Sequence, residues 1–179
     1  MRGRRVVIPT ALALLLLALA ALWSGGEKGA VTVALNGEDA PAALTEDGHV
    51  WLTVEPAAVT ATGAAVTLHT RGIPRIGYGD SYYIARKEHH NSREWTEVPW
   101  RDSGGPSWWA LLNVMGFDPD SVPEEERRED QWDMETGMRV DWTDVYGPLE
   151  PGEYLFVKEV VDPSDRSASR YIGAEFTVK

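Results

Sequence analysis

Beyond residue 50, apolar and polar positions alternate with the period of two that marks half-buried strands. Val50, Leu52 and Val54 alternate with Trp51 and Thr53. Val66 and Leu68 point inward along a strand from Ala64 to Thr70, and Tyr82 and Ile84 share one face of a strand ending at Lys87. Arg71 to Asp80, with three glycines and Pro74, reads as a loop between these strands. Glu94 to Val98 returns with Trp95 turned inward. Met138, Val140 and Trp142 alternate against Arg139 and Asp141, and a further strand runs from Glu153 to Val161. The last strand sets Ile172, Ala174, Phe176 and Val178 on one side and Tyr171, Gly173, Glu175 and Thr177 on the other. Short strands with turn signals between them, and no long amphipathic helix, predict an all-β antiparallel sandwich.

Two stretches depart from this rhythm. Val31 to Leu35 reads as a small strand ended by Asn36-Gly37, inside a segment 25–45 that otherwise reads as a linker. Residues 101–130 read as an irregular insertion in the domain 46–179. Trp108 to Val114 suggests a helical turn there, and Ser121-Val122-Pro123-Glu124 has the spacing of a capping box opening a short charged helix over Glu124 to Glu129.

The most structured stretch is the corner between Trp142 and Tyr154. Pro148 and Pro151 fix φ, Gly147 and Gly152 tolerate positive φ, and Leu149 between them is an apolar plug for the space under the sheet. Trp142, Tyr146, Gly147, Leu149, Pro151, Gly152 and Tyr154 are the residues expected to build it.

The N-terminus is of another kind. Arg2, Arg4 and Arg5 precede an uncharged run from Val6 to Trp23, of which Leu12 to Leu22 is only Ala and Leu. A basic start before an apolar run marks a signal peptide or a signal anchor over residues 1–24, formed as one hydrophobic helix. Ala18-Leu19-Ala20 fits a cleavage site but lies inside the apolar run, and the run nears the lower limit of a bilayer span. The anchor is therefore the favoured reading, with the arginines inside and the remainder outside the membrane; secretion after cleavage is the alternative.

Charge and composition narrow the function. The chain has 179 residues and a net charge of −11. An acidic surface repels nucleic acid. With no cysteine, disulfides, thiol catalysis, thiolate metal sites and a lipid-accepting cysteine are all excluded.

The pattern Val54-Glu55, Thr62-Gly63-Ala64, Tyr82-x-Ile84 and Trp95 followed by Val98 resembles a bacterial immunoglobulin-like domain. So does Asp141-Trp142…Tyr146-Gly147-x-Leu149-x-Pro151-Gly152-x-Tyr154. Tyr154 stands where such sandwiches carry a tyrosine corner. The resemblance covers about residues 50–179 and implies an immunoglobulin-like β-sandwich on an exported or membrane-anchored protein, with no catalytic residues to carry over.

The candidates for chemistry are few. His89-His90 lie in a polar turn, and His49 and His69 are single strand-edge residues. Asp118, Asp120, Glu124 to Glu126, Glu129 and Asp130 form an acidic region without the spacing of a calcium loop. No nucleophile elbow, zinc-binding helix motif or phosphate loop is present. Trp100, Trp108 and Trp109 are the candidate binding surface, as a plug over the sheet or as a platform for a protein or a sugar ring. The expected function is a non-enzymatic extracytoplasmic binding or structural module tethered to the envelope, without cofactor or metal. Its partner is an envelope or extracellular protein or glycan, and the alternative is a carbohydrate-binding module using the Trp-rich insertion.

Overall fold

The computed structural model describes residues 29–44, 49–89, 94–101, 112–116, 123–126, 128, 132–162 and 169–179. The strands are β1 (Ala30–Leu35), β2 (Glu38–Ala43), β3 (Val50–Val54), β4 (Gly63–Thr70), β5 (Arg75–Gly79) and β6 (Tyr83–Lys87). They continue with β7 (Glu94–Glu97), β8 (Leu112–Gly116), β9 (Met134–Asp141), β10 (Gly152–Val161) and β11 (Ser169–Val178).

β3, β4 and β9 form a small antiparallel sheet. The other eight strands form one sheet in the order β11-β2-β1-β7-β6-β10-β5-β8, and β10 also pairs with β11. That extra pairing closes β10, β11, β2, β1, β7 and β6 into a six-stranded barrel. β10 makes this possible by its length. One edge pairs with β11 from Gly152↔Val178 to Val161↔Ser169. The other edge serves β6 through Tyr154–Val157 and then β5 at Val160 and Val161.

The barrel corrects the expected immunoglobulin-like antiparallel sandwich. The closing hairpin is β1–β2, turned on Asn36 (φ 52) and Gly37 (φ 81), the left-handed pair that a two-residue hairpin turn requires. It docks in parallel at both sides, β1 on β7 at Thr32↔Glu94 and β2 on β11 at Tyr171↔Ala42. Within the segment 25–45, β1 takes the small strand expected over Val31 to Leu35, and β2 falls where only a linker was expected. β5 lies within the expected loop 71–80, and β8 makes a strand of Leu112 to Val114, the end of the expected helical turn, and runs on to Gly116. Glu124–Glu126 form only a 3-10 turn. The N-terminal apolar helix falls outside the described residues. Among those described, no helix is long and apolar enough to cross a membrane.

Two cores result. Between the sheets lie Leu52, Val66, Leu68, Ile84, Trp142, Phe156, Ile172 and Phe176 with their neighbours. Inside the barrel lie Val33, Leu35, Ala42, Tyr83, Ala85, Trp95, Leu155 and Val157. β10 feeds both, Tyr154 and Phe156 to one and Leu155 and Val157 to the other, so these four residues read as an unbroken apolar run. Each such side chain contributes about 1.5–3 kcal/mol by leaving water. Gly173 faces the barrel interior, where a Cβ would stand 3.0 Å from Leu155 Cδ1 and 3.1 Å from Leu44 Cδ2.

Candidate functional site

The corner after β9 is a compact hydrogen-bonded turn. Asp141 Oδ1 accepts from the Thr143 N–H at 2.9 Å, and the two hydrogen bonds from Thr143 hold this exposed carboxyl below the usual range. Tyr146 N and Gly147 N donate to the carbonyls of Trp142 and Thr143, and Gly147 ends the turn at φ 76. Trp142, fully buried, donates from Nε1 to the Ala61 carbonyl at 2.8 Å. The Leu149 N–H donates to the same carbonyl at 2.7 Å, while its side chain is buried between the sheets. Tyr154 Oη donates back to the Glu150 carbonyl at 2.8 Å, four residues upstream. Pro151 is exposed and Gly152 half-buried, so these two shape the chain rather than fill the core.

The structure brings one tryptophan of the expected binding surface onto this corner. Trp100 is half-buried and donates from Nε1 to Tyr146 Oη at 3.1 Å; Tyr146 Oη also accepts from the Ile84 N–H at 3.2 Å. The Arg101 N–H donates to the Val145 carbonyl at 2.8 Å. Burial raises the Tyr146 phenol far above its ordinary value, so it stays a neutral hydroxyl anchoring two donors. Trp108 and Trp109 lie outside the described residues.

Residues 96–100 form a ridge with a hollow on either side. The larger, ≈ 670 Å³, runs between the end of β6 and the corner. Val98, Pro99, Pro148 and Leu149 give its apolar part; Arg86, Lys87, Glu88, His89, Glu97 and Glu150 give charges of both signs. The smaller, ≈ 400 Å³, lies under the Asn36-Gly37 turn and includes Trp100. Glu97 lines both. Its Oε2 accepts from the Asn36 N–H at 2.8 Å, tying the barrel-closing hairpin to the ridge. Burial raises its carboxyl, partly offset by hydrogen bonds from Asn36 and Trp100.

The groove is held open by its own pairs. Arg86 contacts Glu150 at 3.4 Å and lies over the Tyr154 ring. Lys87 contacts Glu153 at 3.3 Å and lies over Trp95, and Thr96 Oγ1 donates to Glu88 Oε1 at 2.8 Å. Sequence reasoning passed over Arg86, Lys87, Glu97 and Pro99. The only local signal was the proline and charge beside Trp95 and Trp100.

The histidines do not gather. His49 Nδ1 meets the Arg71 carbonyl at 2.9 Å. His69 stacks on Trp51 at 5.0 Å and contacts Thr53 Oγ1 and Glu135 Oε1. His89 is exposed, and His90 lies outside the described residues, as do Asp118, Asp120, Glu129 and Asp130. Among the described residues no group of three or more His, Asp or Glu is placed to hold a metal ion.

No protein family, curated protein or solved structure matches the chain. The likeness to bacterial immunoglobulin-like domains therefore rests on the quoted residues alone, and the barrel departs from the fold it implied.

Proposed function

We propose that the chain is a non-enzymatic binding module, held outside the cytoplasmic membrane by its N-terminal apolar segment. It takes a protein segment in the groove between the end of β6 and the corner. The observation behind this reading is the groove itself. It is a ≈ 670 Å³ hollow with proline and aliphatic walls and a rim of mixed charge. Apolar surface with a few placed polar groups suits an extended polypeptide with side chains of both signs. The walls are rigid, because Trp142, Leu149 and Tyr154 are each fixed by a backbone hydrogen bond. Trp100 is half-buried, and its Nε1 donates to Tyr146, so only part of the ring is open to a partner.

The test is site-specific photocrosslinking of the full-length chain in its own envelope. A photoreactive residue at Pro148, on the groove rim, is expected to capture a defined protein. The same residue at Glu175, exposed on β11, is not. Equal capture from both positions, or none from Pro148, would overturn the assignment. Release of the chain from membranes by alkaline carbonate would remove the tether.

A further inference from the structure

Lys158 is an unusual residue for its place. It sits on β10 in the row Tyr154, Phe156, Lys158 and Val160, the face turned toward the small sheet. It is 2% exposed, and no carboxylate pairs with it within salt-bridge distance among the described residues. Its Nζ donates to the Gly79 carbonyl at 2.6 Å and the Ser81 carbonyl at 3.3 Å, and lies 5.4 Å from the Tyr78 ring centre. A lysine needs none of this to cap two loop carbonyls; a solvated side chain or water does so at less desolvation cost.

Lys158 also lines a hollow of ≈ 280 Å³ at the seam between the two sheets. Met138, Val140 and Phe156 supply apolar walls, and Tyr82, Asp80 and Asp141 supply polar groups. This hollow shares no residue with the groove. Its size is at the small end for a ligand site, so its occupant is small.

We propose that Lys158 is a reactive amine that condenses with small aromatic or aliphatic aldehydes entering this hollow. The neutral Nζ attacks the carbonyl carbon, and the π pair moves to oxygen, which takes a proton. The resulting carbinolamine loses that oxygen as water, and Nζ gives up its second proton to leave an imine. Amine plus aldehyde gives imine plus water, with no oxidant or reductant. Asp80, whose charge is felt at Lys158, stands where it can carry the protons that dehydration needs. The hydrogen bonds to Gly79 and Ser81 aim the amine beforehand and are given up in the product.

The surroundings favour the neutral amine. Burial lowers the ammonium to about 8, against a smaller opposing pull from Asp80. The groups nearest it are Tyr78 on β5 and Asp80 and Tyr82 before β6, with Arg139 and Asp141, on the exposed row of β9, at the rim of the hollow.

The chain has only four lysines, Lys28, Lys87, Lys158 and Lys179, so the test is clean. The full-length native protein is treated with benzaldehyde and cyanoborohydride, and the benzylated lysines are mapped by mass spectrometry from pH 6 to 10. Lys158 is expected to react about tenfold faster than Lys87 or Lys179 at pH 7. Its rate should rise with a midpoint near 8. Val140→Phe, which fills the hollow, should remove labelling at Lys158 and leave Lys87 unchanged. Labelling of Lys158 no faster than of Lys179, or only after denaturation in urea, would show a purely structural lysine and overturn the proposal. So would undiminished labelling in a folded Val140→Phe. Should that variant fail to fold, the native rate ratio and pH midpoint decide alone.

Discussion

The two cores share β6 and β10 yet are built differently. The core between the sheets is aromatic and anchored: Trp142 is tilted against Phe176 at 5.4 Å, Tyr154 stacks on Phe176 at 5.6 Å, and the polar atoms of Trp142 and Tyr154 reach backbone carbonyls. The barrel interior is narrow. It holds Ala42, Ala85 and Gly173 beside two rings, Tyr83 and Trp95, and the buried Nε1 of Trp95 has no partner among the described residues. An unmet buried donor costs about 1–3 kcal/mol. Six strands enclose a narrow interior, filled by two rings, a few aliphatic side chains and small residues between them. The core between the sheets thus draws its stability from its own anchored aromatics. The barrel draws its stability from closure, which depends on a hairpin far upstream in sequence.

This contrast can be broken at several points. Trp142→Ala empties the anchored core and leaves the Ala61 carbonyl without one of its donors. A loss of about 3–5 kcal/mol in chemical denaturation is expected, and a loss under 1 kcal/mol would show that the corner is not its keystone. Gly173→Ala overfills the barrel against Leu155 and Leu44, at a cost of about 1–3 kcal/mol. The equivalent added methyl at Gly137, with nothing within 4 Å of its Cβ position, should be close to neutral. Equal effects at the two glycines would mean the barrel interior is not packed as described.

Titration sharpens the comparison further. Lys158 has a folded value of about 8, below its ordinary 10.5. Between these values the unfolded chain binds more protons at Lys158, so this group alone raises stability with pH, by about 2 kcal/mol from pH 8 to pH 10 before the tyrosines offset it. Above pH 10 the sign reverses. Tyr82, Tyr146 and Tyr171 are raised by burial, so the folded state then binds more protons and stability falls. Lys158→Met should abolish the rise and keep the fall; a rise surviving in that variant would remove the assignment. The smallest effect is expected at the groove rim. Arg86→Ala breaks an exposed contact with Glu150 and should cost no more than about 0.5 kcal/mol. A larger loss would make the groove part of the fold's support rather than a surface left for a partner.

What the sequence disclosed follows the same division. β9 and the end of β11 from Ala174 alternate because one face is wet, and their inward residues are those the period of two selects. The corner was legible because Gly147, Leu149 and Tyr154 each answer a local backbone demand. β2 was not. Glu-Asp-Ala-Pro-Ala-Ala has low strand propensity and a proline, and it becomes a strand only because β1 and β11 supply partners. β5 was hidden by its two glycines, which read as loop residues. Barrel closure joins Ala42 to Tyr171, and no local pattern reports a pairing across that distance. Of the site, Trp100 and the corner were visible singly, but not that a tyrosine hydroxyl joins them. Lys158 was not singled out by the sequence, although its charge interrupts the apolar row Tyr154, Phe156 and Val160. Its hollow was hidden, because Tyr82 and Met138 come from other elements.

The claim on which the account rests is that residues 29–44 are part of the fold. Chains beginning at residue 29 and at residue 46 should be compared by guanidinium unfolding followed by tryptophan fluorescence. The account predicts a single cooperative transition for the longer chain. The shorter chain, lacking Val33, Leu35 and Ala42, should lose that transition or shift far toward lower denaturant. Coincident transitions for the two would show that residues 46–179 fold without the hairpin, and the closed barrel would have to be abandoned.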